Sequence, residues 1–291
     1  MNRALTDETV SIHPLAVVDP AARLGRGVSV GPFSVIGAEV VLGSGCTVHN
    51  SVTIVGNTTV GSGCEFFPGC IIGTKPQDVK YRGERARLVI GDNNIFREQV
   101  SAHPGTRGGG GVTTIGDENL LMIGSHVGHD AKIGNRCILA NQVLLAGHVL
   151  IEDCATIGGA TAIHHFVTIG KHSMVAGMTR VTADVPPFLT VAGTRSTRQE
   201  VRMVNGVGLQ RRGFSQEQIR NLKNAYMKIF SRRARASGVP VTKTIAEIKR
   251  RCTDENVIYL CDFLLRSFEC GRKGRYLESL RTDNARKPPE Q

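Results

Sequence analysis

Five of the nine histidines fall between residues 126 and 165: His126, His129, His148, His164 and His165. Imidazoles grouped in this way suit two chemistries. A neutral histidine near its ordinary pKa is the usual proton acceptor at physiological pH. Three or four at fixed geometry can hold zinc. A base needs an orienting partner, and Asp130 directly follows His129. It also needs hydrogen-bond donors for a developing oxyanion, and a glycine lets substrate come close to a backbone N–H. The gap in His126-Val127-Gly128-His129 is short for a zinc pair. His13, His49 and His172 read as structural or solvated. The eight cysteines contain no CxxC pair, so the metal-ribbon and thioredoxin patterns fail. A disulfide framework is not expected in a chain this long without a secretory signal.

What brings these side chains together is a repeat of six. Every sixth residue from Ile12 to Ile72 is apolar, and so is every sixth from Ile115 to Val181. With 41% apolar residues, 23 such successes have a chance probability of about one in a billion. The period fits neither a helix nor a plain strand. It fits short strands that turn a corner every six residues and send one large side chain inward per face. Three faces make an 18-residue coil, and stacked coils bury a continuous core. The fourth residue after each apolar position is usually small (Val28, Ser34, Val40, Cys46, Cys64, Cys70, Cys137), which makes most body cysteines small buried side chains. Positions 18 apart stack. His129, Gly147 and His165 therefore share one column, and Asp130 and His148 the next.

The period breaks at 73–89 and at 103–113. The second break holds four consecutive glycines, which predict a flexible loop. Loops projecting from a rigid solenoid are where binding residues tend to sit. The repeat ends near Pro187, which divides the chain into a body, 1–189, and a tail, 190–291. Beyond that point Ser215 to Gln218 reads as a capping box opening a helix with Ile219, Leu222, Tyr226 and Phe230 on one side. A second helix is expected over 255–270, and residues 271–291 read as frayed. The body has 14 Lys+Arg against 15 Asp+Glu, the tail 22 against 10. A basic tail suits an acidic partner, an anionic membrane or nucleic acid. No nucleic-acid motif accompanies the charge, and no apolar run is long enough to span a membrane.

Longer runs are specific. Asn119 to Asp130 (NLLMIGSHVGHD), Gly134 to Asn141, Leu145 to Val149, Ile157 to His164, Asp184 to Pro187 and Arg211 to Ser215 all resemble the UDP-N-acetylglucosamine O-acyltransferase (LpxA) family. Pro76 to Tyr81 is similar to that family's substrate loop. The resemblance runs from about residue 12 to 232 and more weakly to 270. It implies a left-handed parallel β-helix of hexapeptide repeats with a C-terminal α-helical domain, an exception to the right-handed crossover rule.

The resemblance also implies the reaction. An (R)-3-hydroxyacyl chain passes from acyl carrier protein to the 3-hydroxyl of UDP-N-acetylglucosamine, the first step of lipid A synthesis. His129 would be the general base, Asp130 its orienting partner and the Gly147 N–H the oxyanion donor, with no cofactor and no metal. Gln77, Asp78, Lys80, His126, His148, His164 and His165 would hold the sugar nucleotide or the donor. Asn205, Arg211 and Arg212 would reach the nucleotide, the arginines through their bidentate fork. Gly177 falls at the family's hydrocarbon-ruler position. Its bareness favours a chain on the order of fourteen carbons rather than ten. The basic tail would steer the acidic carrier protein, and a homotrimer is expected.

Two alternatives remain at this stage. One is a related N-acyltransferase of the same architecture. The other is a zinc-bearing trimer similar to the gamma-class carbonic anhydrases. His165 and Val207 stand where bacterial members usually have glutamine and glutamate, and about three extra residues occur near Thr194–Gln199. These departures look more like the plant members, which implies a mitochondrial location if the chain is of plant type and the bacterial cytoplasm otherwise.

Overall fold

A two-residue strand is stable only with neighbours on both sides and a core behind it. The hexapeptide supplies both. In the computed structural model of the chain, which describes residues 9–193, 199–236, 238–271 and 273–280, three sheets of 11, 9 and 8 strands form the faces of a solenoid. Neighbouring coils pair in parallel, 18 residues apart wherever the repeat is unbroken, as Ser11 with Ser29 and Leu144 with Ala162. Every coil contributes large inward side chains, among them Ile36, Ile54, Phe66, Leu121 and Leu139, all buried. Each is worth about 1.5–3 kcal/mol of burial. The small second inward positions are filled as the repeat requires, with Ser34, Cys46, Cys64, Cys70 and Cys137 at most 1% exposed.

Most corners are turned by one residue in the left-handed region. Gln142, His148, Cys154, Ala160, Phe166 and His172 have φ between 54° and 63°, and Asp130 has 59°. Non-glycine residues adopt this conformation at some cost, so the stacked rungs must impose it.

Both breaks leave the solenoid at the same corner, between the second and third faces. The first follows Ile71–Ile72 and returns as the strand Arg87–Ile90, so it ends at residue 86 rather than 89. The second follows Ser101–Ala102 and returns as Val112–Ile115, two residues earlier than the sequence suggests. The glycine run, expected as a flexible loop, contains a defined turn. Arg107–Gly109 form one 3₁₀ turn, and a Cβ on Gly109 would lie 2.0–2.4 Å from the Asp130 carboxylate.

The first sheet continues past residue 189. Leu189–Gly193 extends it and turns back antiparallel as Gln199–Val204. The three extra residues inferred near Thr194–Gln199 lie largely outside the described residues. The helices α1 (Gly206–Arg211), α2 (Gln216–Phe230), α3 (Arg232–Ala236), α4 (Val241–Arg251), α5 (Glu255–Leu265) and α6 (Tyr276–Ser279) complete the order of elements. The capping box forms as read, with Ser215 and Gln218 exchanging bonds at the start of α2. The helix expected over 255–270 ends at Leu265 and passes into a wide turn at 266–270, where Phe268 is exposed. The sequence reading missed α1 and α4; α4 has no side-chain cap to announce it.

The frayed tail is the main correction. Residues 273–280 dock on the last coil, and 281–291 lie outside the described residues. Asp184 is the anchor. It accepts from Thr168 N (2.8 Å), Ser267 Oγ (3.2 Å) and Tyr276 N (2.9 Å). The buried Arg275 donates to the Thr182 carbonyl at 2.8 Å. Burial pushes the Asp184 carboxyl above its ordinary value even against these bonds.

Candidate active site

The corner between the second and third faces carries the site, because the coil repeats it every 18 residues. His129 and Asp130 sit on one rung, Gly147 and His148 on the next, and His165 and Phe166 above them. The Nδ1 of His129 lies 2.8 Å from Oδ2 of Asp130. A carboxylate only accepts, so Nδ1 carries the proton and Nε2 keeps its lone pair. Asp130 is itself fixed. Thr106 donates to its two oxygens, from N at 2.8 Å and from Oγ1 at 2.6 Å, while the Asp130 N–H donates to Thr113 Oγ1 at 2.7 Å. Burial pushes the Asp130 carboxyl up, but the bonds from His129 and Thr106 outweigh it and hold the pKa below the ordinary range.

Gly147 has no room for a side chain. A Cβ there would lie 2.5 Å from Cε1 and Nε2 of His129. Ala146 N and His148 N donate to the Ile163 and His129 carbonyls, whereas the Gly147 N–H has no acceptor among the described residues. A bare N–H therefore stands beside the imidazole. His148 meets His129 edge-on with ring centroids 5.1 Å apart and stacks on Phe166 at 4.4 Å.

A cleft of about 670 Å³ opens on the third-face side of this corner. Asp78, Lys80, Asp130 and His148 line it, as does Phe166. His129 joins it through Asp130 and His148 and is not itself a wall. The sequence reading missed Arg82, Glu84, Thr106 and Arg107. Glu84 accepts from Arg82 N at 2.8 Å and Arg107 N at 3.3 Å, so it ties the two excursions together. The insertions hid these residues, since Thr106 and Asp130 are in contact although 24 residues apart.

The other candidates lie elsewhere. Gln77 is exposed and not among the lining residues. His126 points outward on the second face and shares a 2.9 Å hydrogen bond with Ser101 Oγ. His103, also missed, packs 5.3 Å from it. His164 and His165 are exposed, with ring centroids 5.6 Å apart. Gly177 sits at the corner between the first and second faces, where a Cβ would come within 3.1 Å of the Gly159 carbonyl. Asn205 caps α1 and donates to the His172 carbonyl at 3.0 Å. Arg212 donates to the Arg136 carbonyl at 3.1 Å. Both contacts lie at the third corner, and neither arginine reaches the cleft of its own chain. Val207 is exposed on α1.

Among the described residues, His129, Asp130 and His148 are the one trio whose ligand atoms could close on a metal, all lying within 4.8 Å of one another. The donor set fits poorly. Both Asp130 oxygens are occupied by hydrogen bonds, and His129 Nδ1 is committed to the same carboxylate.

Burial, together with His103 and His129, pushes His126 down to about 4, and burial with Lys171 and Arg212 does the same to His172. The unfolded chain takes up protons at both near pH 6.5, the folded chain only near 4. Stability should therefore fall as pH drops through that window. Denaturant midpoints measured across it for a His126→Gln/His172→Gln variant should show a flatter pH profile. An unchanged profile would refute the assignment.

Known families match this chain. A model described as UDP N-acetylglucosamine O-acyltransferase, domain 2, matches residues 184–272, and the bacterial transferase hexapeptide model matches 112–147. A Stenotrophomonas maltophilia protein named acyl-[acyl-carrier-protein]–UDP-N-acetylglucosamine O-acyltransferase is 44% identical over 261 residues, 89% of this chain and 97% of its own length. The solved UDP-N-acetylglucosamine acyltransferase of Francisella novicida superposes with a TM-score of 0.80 at 36% identity, covering 87% of this chain and 90% of that one. The Arabidopsis enzyme does so with a TM-score of 0.79 at 36% identity, covering 90% and 99%.

Proposed function

The chain belongs to the acyl-[acyl-carrier-protein]–UDP-N-acetylglucosamine O-acyltransferase family, with its left-handed parallel β-helix, and on that premise we propose how its own residues carry the transfer of a 3-hydroxyacyl chain to the sugar 3-hydroxyl. The observation that carries the reading is the His129–Asp130 pair beside the bare Gly147 backbone. His129 Nε2 takes the proton of the sugar 3-hydroxyl as that oxygen attacks the thioester carbonyl. The tetrahedral oxyanion is held by the Gly147 N–H. Collapse breaks the carbon–sulfur bond, and the imidazolium returns its proton to the leaving thiolate. Asp130 stays ionised throughout and stabilises the imidazolium. No covalent enzyme intermediate is needed, because the thioester is already activated.

The substrates divide along the corner. Asp78 and Lys80, beside Arg82 and Arg107, give the sugar nucleotide a hydroxyl acceptor and a set of cations. The acyl chain crosses the second face, past His126, His164 and His165, toward Gly177. There Gly159 and Gly177 leave two successive coils without side chains.

Acyl carrier protein is the donor. Its docking surface is the basic helical domain, where Lys228, Arg232, Arg233 and Arg251 line one groove. Association of three chains would carry Asn205, Arg211 and Arg212 of one to the cleft of its neighbour. The exposed apolar positions Val17, Val35, Ile71 and Leu144, repeated along the second face, support such an assembly. No helix of the described residues is long and apolar enough to cross a membrane. His165 and Val207 favour the plant-type members, and with them a mitochondrial site of action; a bacterial source would place the reaction in the cytoplasm.

The test is a transfer assay with UDP-N-acetylglucosamine and 3-hydroxyacyl carrier proteins of several lengths. The acylated sugar nucleotide should form, with donors of about fourteen carbons favoured over ten by tenfold or more in kcat/KM. A preference for the short donor would remove Gly177 from its role. Absence of product with every donor would remove the reaction itself.

A further inference from the structure

The family match ends at residue 272, and the catalytic cleft is lined in part by residues C-terminal to it. Leu277 and Leu280, one half-buried and one exposed, share the cleft with Phe166, Val149, Leu150, His148 and Asp130. Their position is built, not incidental. Asp184 stands in the same corner column as Asp130, His148 and Phe166, three coils above the first. It holds the tail through Ser267 Oγ and Tyr276 N, and its own N–H donates to the Gly274 carbonyl at 2.7 Å. Arg275 adds its bond to the Thr182 carbonyl and an ion pair with Glu278 at 3.4 Å. Gly274, with φ of 73°, lies so close that a Cβ would touch that of Ala183. The Glu278 carboxylate acts electrostatically on His165, although burial first and His164 next still hold that imidazole below its ordinary value.

The tail therefore roofs the catalytic corner at the end nearest the basic helical domain. The column from Asp184 down to Asp130 spans three coils, on the order of 14 Å at the strand spacing. A thioester delivered from a carrier protein seated on those helices would descend this column to reach His129. Its phosphopantetheine arm is mostly uncharged, with an apolar branched middle. The column wall is apolar on the tail side and aromatic at Phe166. We infer that residues 275–280 form a guide for the donor's phosphopantetheine arm, with Leu277 and Leu280 as its apolar contacts. This rests on the acyl-transfer reading.

The experiment is steady-state kinetics of the full chain with 3-hydroxyacyl carrier protein and UDP-N-acetylglucosamine, each varied at saturating levels of the other. For Leu277→Ala/Leu280→Ala the KM for the acyl carrier donor should rise about tenfold, while the KM for the sugar nucleotide stays within twofold. Leu277→Met should restore most of the loss. Arg275→Ala, which frees the tail without touching either leucine, should reproduce the donor effect, with thermal unfolding confirming that the solenoid is intact. A rise in the sugar-nucleotide KM instead would overturn the inference and make the tail a nucleotide wall. No change in either KM would also overturn it, leaving the tail a structural cap. Failure of the unsubstituted protein to transfer acyl chains would be a failure of the acyl-transfer reading, visible before any variant is compared, and the inference would fall with it.

Discussion

Replacing His129 by alanine is expected to lower kcat/KM by about 10³- to 10⁴-fold, or roughly 4–5.5 kcal/mol of transition-state stabilisation. The size reflects the geometry. The Nδ1 proton is spent on Asp130 at 2.8 Å, which leaves Nε2 as the acceptor at this corner. His148 lacks this orientation, its Nε2 lying 3.8 Å from Asp130 Oδ2, beyond hydrogen-bond distance. The loss should appear in kcat more than in the KM for either substrate, since a proton is abstracted only in the transition state. The measurement is a steady-state assay of the purified variant beside the unsubstituted protein. Residual activity within tenfold would show that another group is the base. Asp130→Asn tests the partner: its NH2 must face a donor, either Thr106 N or His129 Nδ1, so the ring loses its tautomer along with the charge that favours the imidazolium, and a large kcat loss is expected.

A single methyl group at Gly147 should be nearly as damaging. The backbone of Gly147 does not occupy the left-handed region, so Gly147→Ala introduces no backbone strain. Its cost comes entirely from contact. The new Cβ would lie 2.5 Å from two atoms of the His129 ring, nearer than carbon atoms can approach. The ring must swing away and lose its bond to Asp130, or the rung must shift and carry the Gly147 N–H with it. Either movement separates base and oxyanion donor by a distance on the order of 1 Å, which costs about 10²-fold in rate. Overpacking of this kind also destabilises by about 1–3 kcal/mol. The expected result is a folded protein with a slightly lowered melting temperature and kcat reduced about 10²- to 10³-fold. Full activity with alanine at 147 would show that the Asp130-bonded rotamer of His129 is not the reactive one.

Much of this site is legible in the chain because a solenoid turns sequence spacing into spatial columns. Counting by 18 places Gly147 against His129 and His148 against Asp130, and the rings and backbone are found there. The same arithmetic fails across the excursions. His103 belongs to the rung below His126, as the pairing of Ala102 with Val127 shows, but the excursion makes that step 25 residues. Thr106 cannot be found by counting at all. Nothing in the sequence says that residues 103–111 fold back so that a threonine meets the carboxylate of the next coil. Gly109 likewise reads as loop flexibility, whereas its actual requirement is the Asp130 carboxylate pressed against its Cα.

What the sequence determined by itself is periodic: the faces, the inward residues, the column of histidines and the capped helix α2. Each arises from local geometry, which repeats and needs no knowledge of distant chain. Only the tertiary structure decided the rest. The two excursions converge at one corner, Asn205 and Arg212 are held at another, and a tail that reads as polar and frayed is pinned by the buried Asp184 to roof the cleft. These contacts join residues 23 to 92 positions apart. They depend on where non-periodic segments come to rest, which is set by a few buried hydrogen bonds rather than by any pattern along the chain.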